Sequence, residues 1–269
     1  MNTAFQALTA RLQAAGVPDA RFDAAQLYRF VTGRDPRLDD GPSPEEAARL
    51  EALAARRAAR EPLQYLLGEW DFLDFTLKVG PGVLCPRADS EVVCETAIEL
   101  LRDKPAPVVL DLCAGTGCLG LGVARACPGA QVTCVEKSAE AWPYLQANTA
   151  GTAVRTVQAD IFAESVDLIL SNPPYLTAGE MAALMPDTAH EPAMALDGGE
   201  DGLAFYRLLT ARYRMALRPG GWLVLEIGCA QAADVLALGA TQGWSHGRCR
   251  KDYGGNDRVI VLQKPEKTG

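Results

Sequence analysis

At 269 residues the chain is long enough to bury a sizeable core in one or two domains. Its 26 Lys and Arg stand against 34 Asp and Glu, a formal net charge of −8, and neither half is basic: residues 1–86 carry 10 basic and 12 acidic side chains, residues 87–269 carry 16 and 22. That balance argues against a protein that wraps duplex nucleic acid, no apolar run reaches the ~20 residues of a bilayer span, and no basic-then-apolar leader follows Met1, so a cytoplasmic protein without stable nucleic acid or membrane binding is expected.

Residues 1–71 read as a small helical bundle. Phe5, Leu8 and Leu12 fall at helical spacing, as do Leu50, Leu53 and Ala54, while Asp35-Pro36 and Gly41-Pro42 break the pattern. Ser43-Pro44-Glu45-Glu46 is a helix start, with Ser43 as N-cap, Pro44 at the first position and Glu46 closing a capping box. Arg56, Arg57 and Arg60 form the one basic cluster, expected to be a solvated helix face. Phe72 to Val83 alternates like a strand pair (Phe75, Leu77, Val79) with Gly80-Pro81-Gly82 as its turn, which predicts a hairpin linker over 72–86. From 87 to 269 helical and strand patterns alternate, as in a parallel sheet.

In that second part, Val108 to Cys113 reads as a buried strand with Asp111 near its end. Ala114-Gly115-Thr116-Gly117-Cys118-Leu119-Gly120 follows, then a helix to about Cys127. Glycines there let backbone approach a ligand, and the helix N-terminus favours electron-rich groups. The next strand, Gln131 to Val135, ends at Glu136, placed to accept from a ribose diol. Taken literally, 115–120 is G-x-G-x-x-G with an acid some twenty residues on, a fingerprint shared with dinucleotide enzymes. Asp111, however, precedes the glycines, where it can meet the cationic end of a ligand such as the S-adenosylmethionine amino group. Asp160 after the third strand can accept from an adenine amine, with Ile161 covering the ring.

The fourth strand, Val166 to Ser171, runs into Asn172-Pro173-Pro174-Tyr175. The two prolines stiffen this turn and remove two backbone donors, so the Asn172 side-chain oxygen and the Pro173 carbonyl stay open as acceptors. With Tyr175 following to stack, the segment is a seat for a planar NH2 group. Alone it could be a Pro-rich turn. Placed after Asp111, Cys113 to Gly117, Glu136 and Asp160, it completes an S-adenosylmethionine site in sheet order. A helix near 230–241 and strands near 245–251 and 258–263 close the chain.

These motifs resemble the HemK/PrmC family, protein-(glutamine-N5) methyltransferases. The resemblance spans roughly 62–262 and includes Pro62-Leu63-Gln64-Tyr65, Pro86-Arg87 to Glu91, Glu191-Pro192, Gly198-Gly199, Asp201-Gly202-Leu203, Leu225-Glu226-Ile227-Gly228, Gln231, Asp252 and Arg258. It implies an α/β fold, a seven-stranded Rossmann-like methyltransferase sheet with an antiparallel final hairpin. It also implies S-adenosylmethionine as cofactor, S-adenosylhomocysteine as product and no metal. The implied reaction methylates the Gly-Gly-Gln glutamine of class 1 peptide chain release factors, held by Asn172, Pro173, Pro174 and Tyr175. A monomer is expected, its helical bundle docking the protein partner or capping the sheet. The chain departs from the family at Ala88-Asp89-Ser90, at Cys113-Ala114 and at Glu136, where Asp is usual.

Other readings stay open: a ribosomal-protein glutamine, the exocyclic amine of a nucleic-acid adenine, or a nucleotide-binding module without turnover. Eight cysteines without a C-x-x-C pair, five of them (Cys94, Cys118, Cys127, Cys134, Cys229) in apolar stretches, read as reduced and buried. With only His190 and His246 beside them, a zinc site is not expected.

Overall fold

The computed structural model describes residues 2–160 and 164–266, and the chain divides into two compact units. The first runs to Trp70 and includes the distant segment Met185–His190. Its helices are α1 (Thr3–Ala14), α2 (Ala20–Thr32), α3 (Pro44–Ala58) and the short α4 (Leu63–Leu67). Asn2 caps α1 through its side-chain oxygen, and its amide nitrogen donates to the Tyr28 hydroxyl at 2.7 Å inside the unit. The Ser43–Glu46 capping box forms as its sequence implies. Leu12, Ala24, Leu27, Tyr28 and Ala54 are nearly water-free at the centre, the apolar stripes of α1, α2 and α3 meeting there.

Of the arginine cluster, Arg56 is exposed as its sequence reading expects, while Arg57 and Arg60 depart from it. Arg57 is buried, its side chain only 5 % exposed, with Nε donating to Asp23 and Nη2 to Asp187, each at 2.7 Å. Arg60 binds the other oxygen of Asp187. A guanidinium leaves water only where carboxylates take up its donors, and here one comes from α2 and one from a segment 130 residues along the chain. The short-range pattern of α3 carries no trace of that second partner.

The hairpin also differs. Its strands are β1 (Glu69–Phe72) and β2 (Phe75–Lys78), turning at Leu73-Asp74, not at Gly80–Gly82. Leu73 adopts a left-handed φ of 52° without being glycine, so the turn carries only Asp74 as a signal, weaker than Gly-Pro-Gly.

In the second unit follow α5 (Glu91–Leu101), β3 (Val108–Leu112), α6 (Cys118–Ala126), β4 (Gln131–Glu136), α7 (Trp142–Thr149), β5 (Arg155–Gln158) and β6 (Val166–Ser171). Then come α8 (Ala178–Ala182), α9 (Ala204–Arg212), β7 (Leu217–Glu226), α10 (Ala232–Thr241), β8 (Ser245–Lys251) and β9 (Asp257–Gln263). Among the described residues seven strands form one sheet in the order β5-β4-β3-β6-β7-β9-β8. The first five are parallel, and β9 runs antiparallel to both neighbours. This is the methyltransferase sheet the sequence implies, with its final hairpin.

Sequence order reverses between β3 and β6, so the crevice at their carboxyl ends is the topological switch point where such sheets bind ligands. Both strands are almost wholly buried, Val166 to Ser171 at every position. All eight cysteines are free thiols; Cys94 and Cys134 are buried, but Cys229, expected inside an apolar element, is exposed before α10. Among the described residues no helix is long and apolar enough to cross a membrane.

Candidate active site

Strand register sets the site. Leu112 pairs with Val135 on one side and with Ser171 on the other, so Cys113, Glu136 and Asn172, each one residue further on, stand in a row at the sheet edge. A cavity of about 270 Å³ opens there, lined by Cys113 to Thr116, Glu136, Asp160, Asn172, Pro174 and Ser90 among others. That size is just below the usual range for a small-molecule pocket, roughly 300–1,000 Å³.

The loop between β3 and α6 is tied down from several sides. Ala114 N–H donates to the Val135 carbonyl at 3.1 Å, and Gly115 N–H to Glu136 at 2.7 Å. Glu136 accepts at its other oxygen from Ser138 N–H at 2.6 Å, so each oxygen keeps a second lone pair for a further donor such as a hydroxyl. Gly117 begins α6 at φ 83°, and a Cβ there would lie 2.7 Å from Leu145 Cδ1, so only glycine fits. Cys113 holds a left-handed φ of 58°, which adds local strain of order 1–3 kcal/mol. Its thiol is accessible and opens onto the cavity. Asn148 adds a brace that sequence patterns do not announce: its amide donates to the Thr116 carbonyl at 3.0 Å and to Lys78 O at 3.1 Å.

Asp111 does not line the cavity. Its Oδ2 accepts from Gly120 N–H at 2.8 Å and from the Cys134 thiol, behind the glycine turn, and Oδ1 has no partner among the described residues. Burial pushes the carboxyl up to about 7, with Gly120 N–H pulling the other way. Asp160 lines the cavity next to Lys137, 3.3 Å away, while Ile161 lies outside the described residues.

At the end of β6 the Asn172 amide nitrogen donates to the Ser90 hydroxyl at 3.3 Å. Among the described residues neither Asn172 Oδ1 nor the Pro173 carbonyl accepts a hydrogen bond. Asn172 and Pro174 line the cavity; Pro173 is buried and Tyr175 half-buried, and neither lines it. The Tyr175 ring packs into the core beside Gly228 instead, and burial pushes its hydroxyl up to about 12.

Its backbone is clamped by the following loop. Leu176 and Asp197 form a bridge, Gln231 Nε2 donates to the Tyr175 carbonyl at 3.0 Å, and a Cβ on Gly198 would lie 2.7 Å from Tyr175 Cα. In the same loop Glu191, buried, pairs with Arg87 at 2.6 Å. Among the described residues no cluster of metal-ligating side chains is present.

Known proteins resemble the chain over both of its units. A family model for the PrmC N-terminal domain matches residues 3–68, and one for the methyltransferase small domain matches 75–198. The release factor glutamine methyltransferase of Mycolicibacterium smegmatis is 43 % identical over 279 residues, covering 98 % of each chain. That of Geobacter sulfurreducens is 40 % identical over 257 residues, 91 % of this chain and 90 % of its own. A methyltransferase from Pyrococcus furiosus shares the fold, with a TM-score of 0.53 at 19 % identity, over 70 % of this chain and 88 % of that one.

The buried acids give stability a pH dependence of defined sign. Asp111 and Glu226 are both pushed up to about 7, chiefly by burial, above the ordinary carboxyl value of about 4 that they regain on unfolding. As pH rises the unfolded chain releases these protons first, so their contribution is full below about pH 4 and lost by about pH 7. The melting temperature of the ligand-free protein should therefore fall from about pH 5 to about pH 7.5, and Asp111→Asn should flatten part of that slope. Thermal melts with an identical slope for wild type and variant would contradict it.

Proposed function

The chain belongs to the family of release factor glutamine methyltransferases, and we propose that it methylates the side-chain amide nitrogen (N5) of the glutamine in the Gly-Gly-Gln motif of class 1 peptide chain release factors. The observation that carries this is the pair of unused acceptors, Asn172 Oδ1 and the Pro173 carbonyl, at the end of β6 where the cavity opens. A primary amide has two N–H bonds to give, and two acceptors on one stiff turn match it.

S-adenosylmethionine would be held by the backbone of Cys113 to Gly117 at the start of α6, by Glu136 toward the ribose and by Asp160 toward the adenine. The loop fits such a ligand, since Cys113 to Thr116 line the cavity and Gly115, at φ 55°, brings bare backbone to its wall; Gly117 is buried behind them against Leu145. Asp111 serves it indirectly, by bracing Gly120. When bound, the cofactor supplies an electrophilic methyl group. An amide nitrogen is a poor nucleophile because its lone pair is delocalised into the carbonyl. Asn172 and Pro173 hold both N–H bonds, turn the lone pair toward the methyl group and favour pyramidal nitrogen, so catalysis is positioning and electrostatics. The nitrogen loses its extra proton after the methyl arrives; His190 and His246 do not line the cavity, and no histidine base is required. Pro174, which does line it, supplies apolar wall to the same seat. Action as a cytoplasmic monomer belongs to the same proposal.

The helical unit is proposed to dock the body of the release factor. It is compact by itself, and α2 exposes Phe22 and Phe30, 50 % and 46 % accessible, large apolar groups of the kind that anchor protein interfaces. A second contact of this sort raises effective concentration without touching the barrier to transfer.

Two outcomes follow. Incubated with methyl-labelled S-adenosylmethionine and purified release factors, ribosomal proteins and tRNA, the protein should label a release factor. Asn172→Ala should keep cofactor affinity and lower that turnover about 10²-fold or more. Label on tRNA or a ribosomal protein alone, or wild-type turnover in the variant, would sink the reading. In the same assay Phe22→Ser with Phe30→Ser should raise KM for the release factor and leave kcat unchanged. An unaltered KM would remove the docking role.

A further inference from the structure

We propose that Ser90 is a positioning residue for methyl transfer: it holds the Asn172 amide in the one orientation that turns oxygen toward the substrate. The inference rests on the reading that Asn172 Oδ1 accepts from the substrate amide.

Register places the partners. Ser171 pairs with Leu225, so Asn172 and Glu226 stand side by side, one residue past the pair, on β6 and β7. Ser90 bridges them from the single helical turn Ala88–Ser90 that leads into α5. Its hydroxyl donates to Glu226 Oε2 at 2.6 Å and receives the Asn172 amide nitrogen at 3.3 Å. Ser90 and Glu226 are 2 % and 1 % exposed, so the bond between them is shielded from water.

A serine hydroxyl has one proton and two lone pairs. With Glu226 ionised, as it is above about pH 7, the hydroxyl proton is committed to the carboxylate, so Ser90 can only accept from Asn172 and the group 3.3 Å from it on that amide is the NH2. The oxygen then faces the other way. Without the hydroxyl, nothing distinguishes the two ends of the amide. Once flipped, it would present N–H groups to the N–H groups of the substrate.

Ser90→Ala and Ser90→Val remove the hydroxyl with different volumes, so at least one folded variant reads its role; Ser90→Thr keeps it. The hydroxyl-free variants should lose roughly 10-fold to 100-fold in kcat, less than the ~10²–10³ that outright loss of an oriented transition-state hydrogen-bond partner costs. Their S-adenosylmethionine Kd should be unchanged, and Ser90→Thr should recover most of the kcat. Combined with Asn172→Ala, the Ser90 change should cause no further loss, because the side chain it orients is gone. Wild-type kcat in a folded hydroxyl-free variant, or an equal loss in the Asn172→Ala background, would overturn the proposal while leaving the Asn172 reading intact. Wild-type turnover in Asn172→Ala itself would remove both.

Discussion

The site depends on the register of one central strand. Because β3 pairs with β4 and β6 at the same residue, Leu112, the turns that follow all three strands begin at one level. The glycine loop, the acid beside it and the asparagine turn are thereby brought together by backbone hydrogen bonds, before any side chain contributes. A one-residue slip of β6 would turn every side chain of the strand to the opposite face. The fully buried, β-branched and leucine-rich strands make that slip costly, since the sheet is packed on both sides.

Around this frame the buried acids act as braces. Asp111 holds Gly120, Glu136 holds Gly115 and Ser138, and Glu226 holds Ser90, which holds Asn172. Each takes up N–H or O–H groups that would otherwise be unsatisfied at a helix start or where a loop leaves a strand. The loop after β6 is fixed the same way, by Gln231 on the Tyr175 carbonyl and by glycines packed against it. A preorganised seat of this kind suits chemistry that needs no acid or base of its own.

Much of this was legible in the sequence where the signal is local. The capping box at Ser43, the strand-and-glycine pattern at 108–120, the last helix and strand pair, and Asn172-Pro173-Pro174-Tyr175 declare themselves within a few residues. What stayed hidden depends on partners far along the chain: Arg57 is buried by Asp187, and Ser90 meets Glu226 across 136 residues. Direction was hidden too. Asp111 sits near the right place but faces away from the cavity, and Tyr175 turns its ring into the core, because a motif gives positions and not the face each side chain chooses. Leu73 hid the hairpin turn by adopting a glycine-like conformation.

The central claim is that two acceptors on one turn hold the two N–H bonds of a primary amide. The most direct measurement is a crystal structure of the protein with S-adenosylhomocysteine and a release factor carrying an intact Gly-Gly-Gln segment. The account predicts the glutamine amide nitrogen within hydrogen-bond distance of both Asn172 Oδ1 and the Pro173 carbonyl, with the cofactor sulfur on the line of its lone pair. A glutamine bound elsewhere, or one whose carbonyl rather than nitrogen meets this turn, would contradict it.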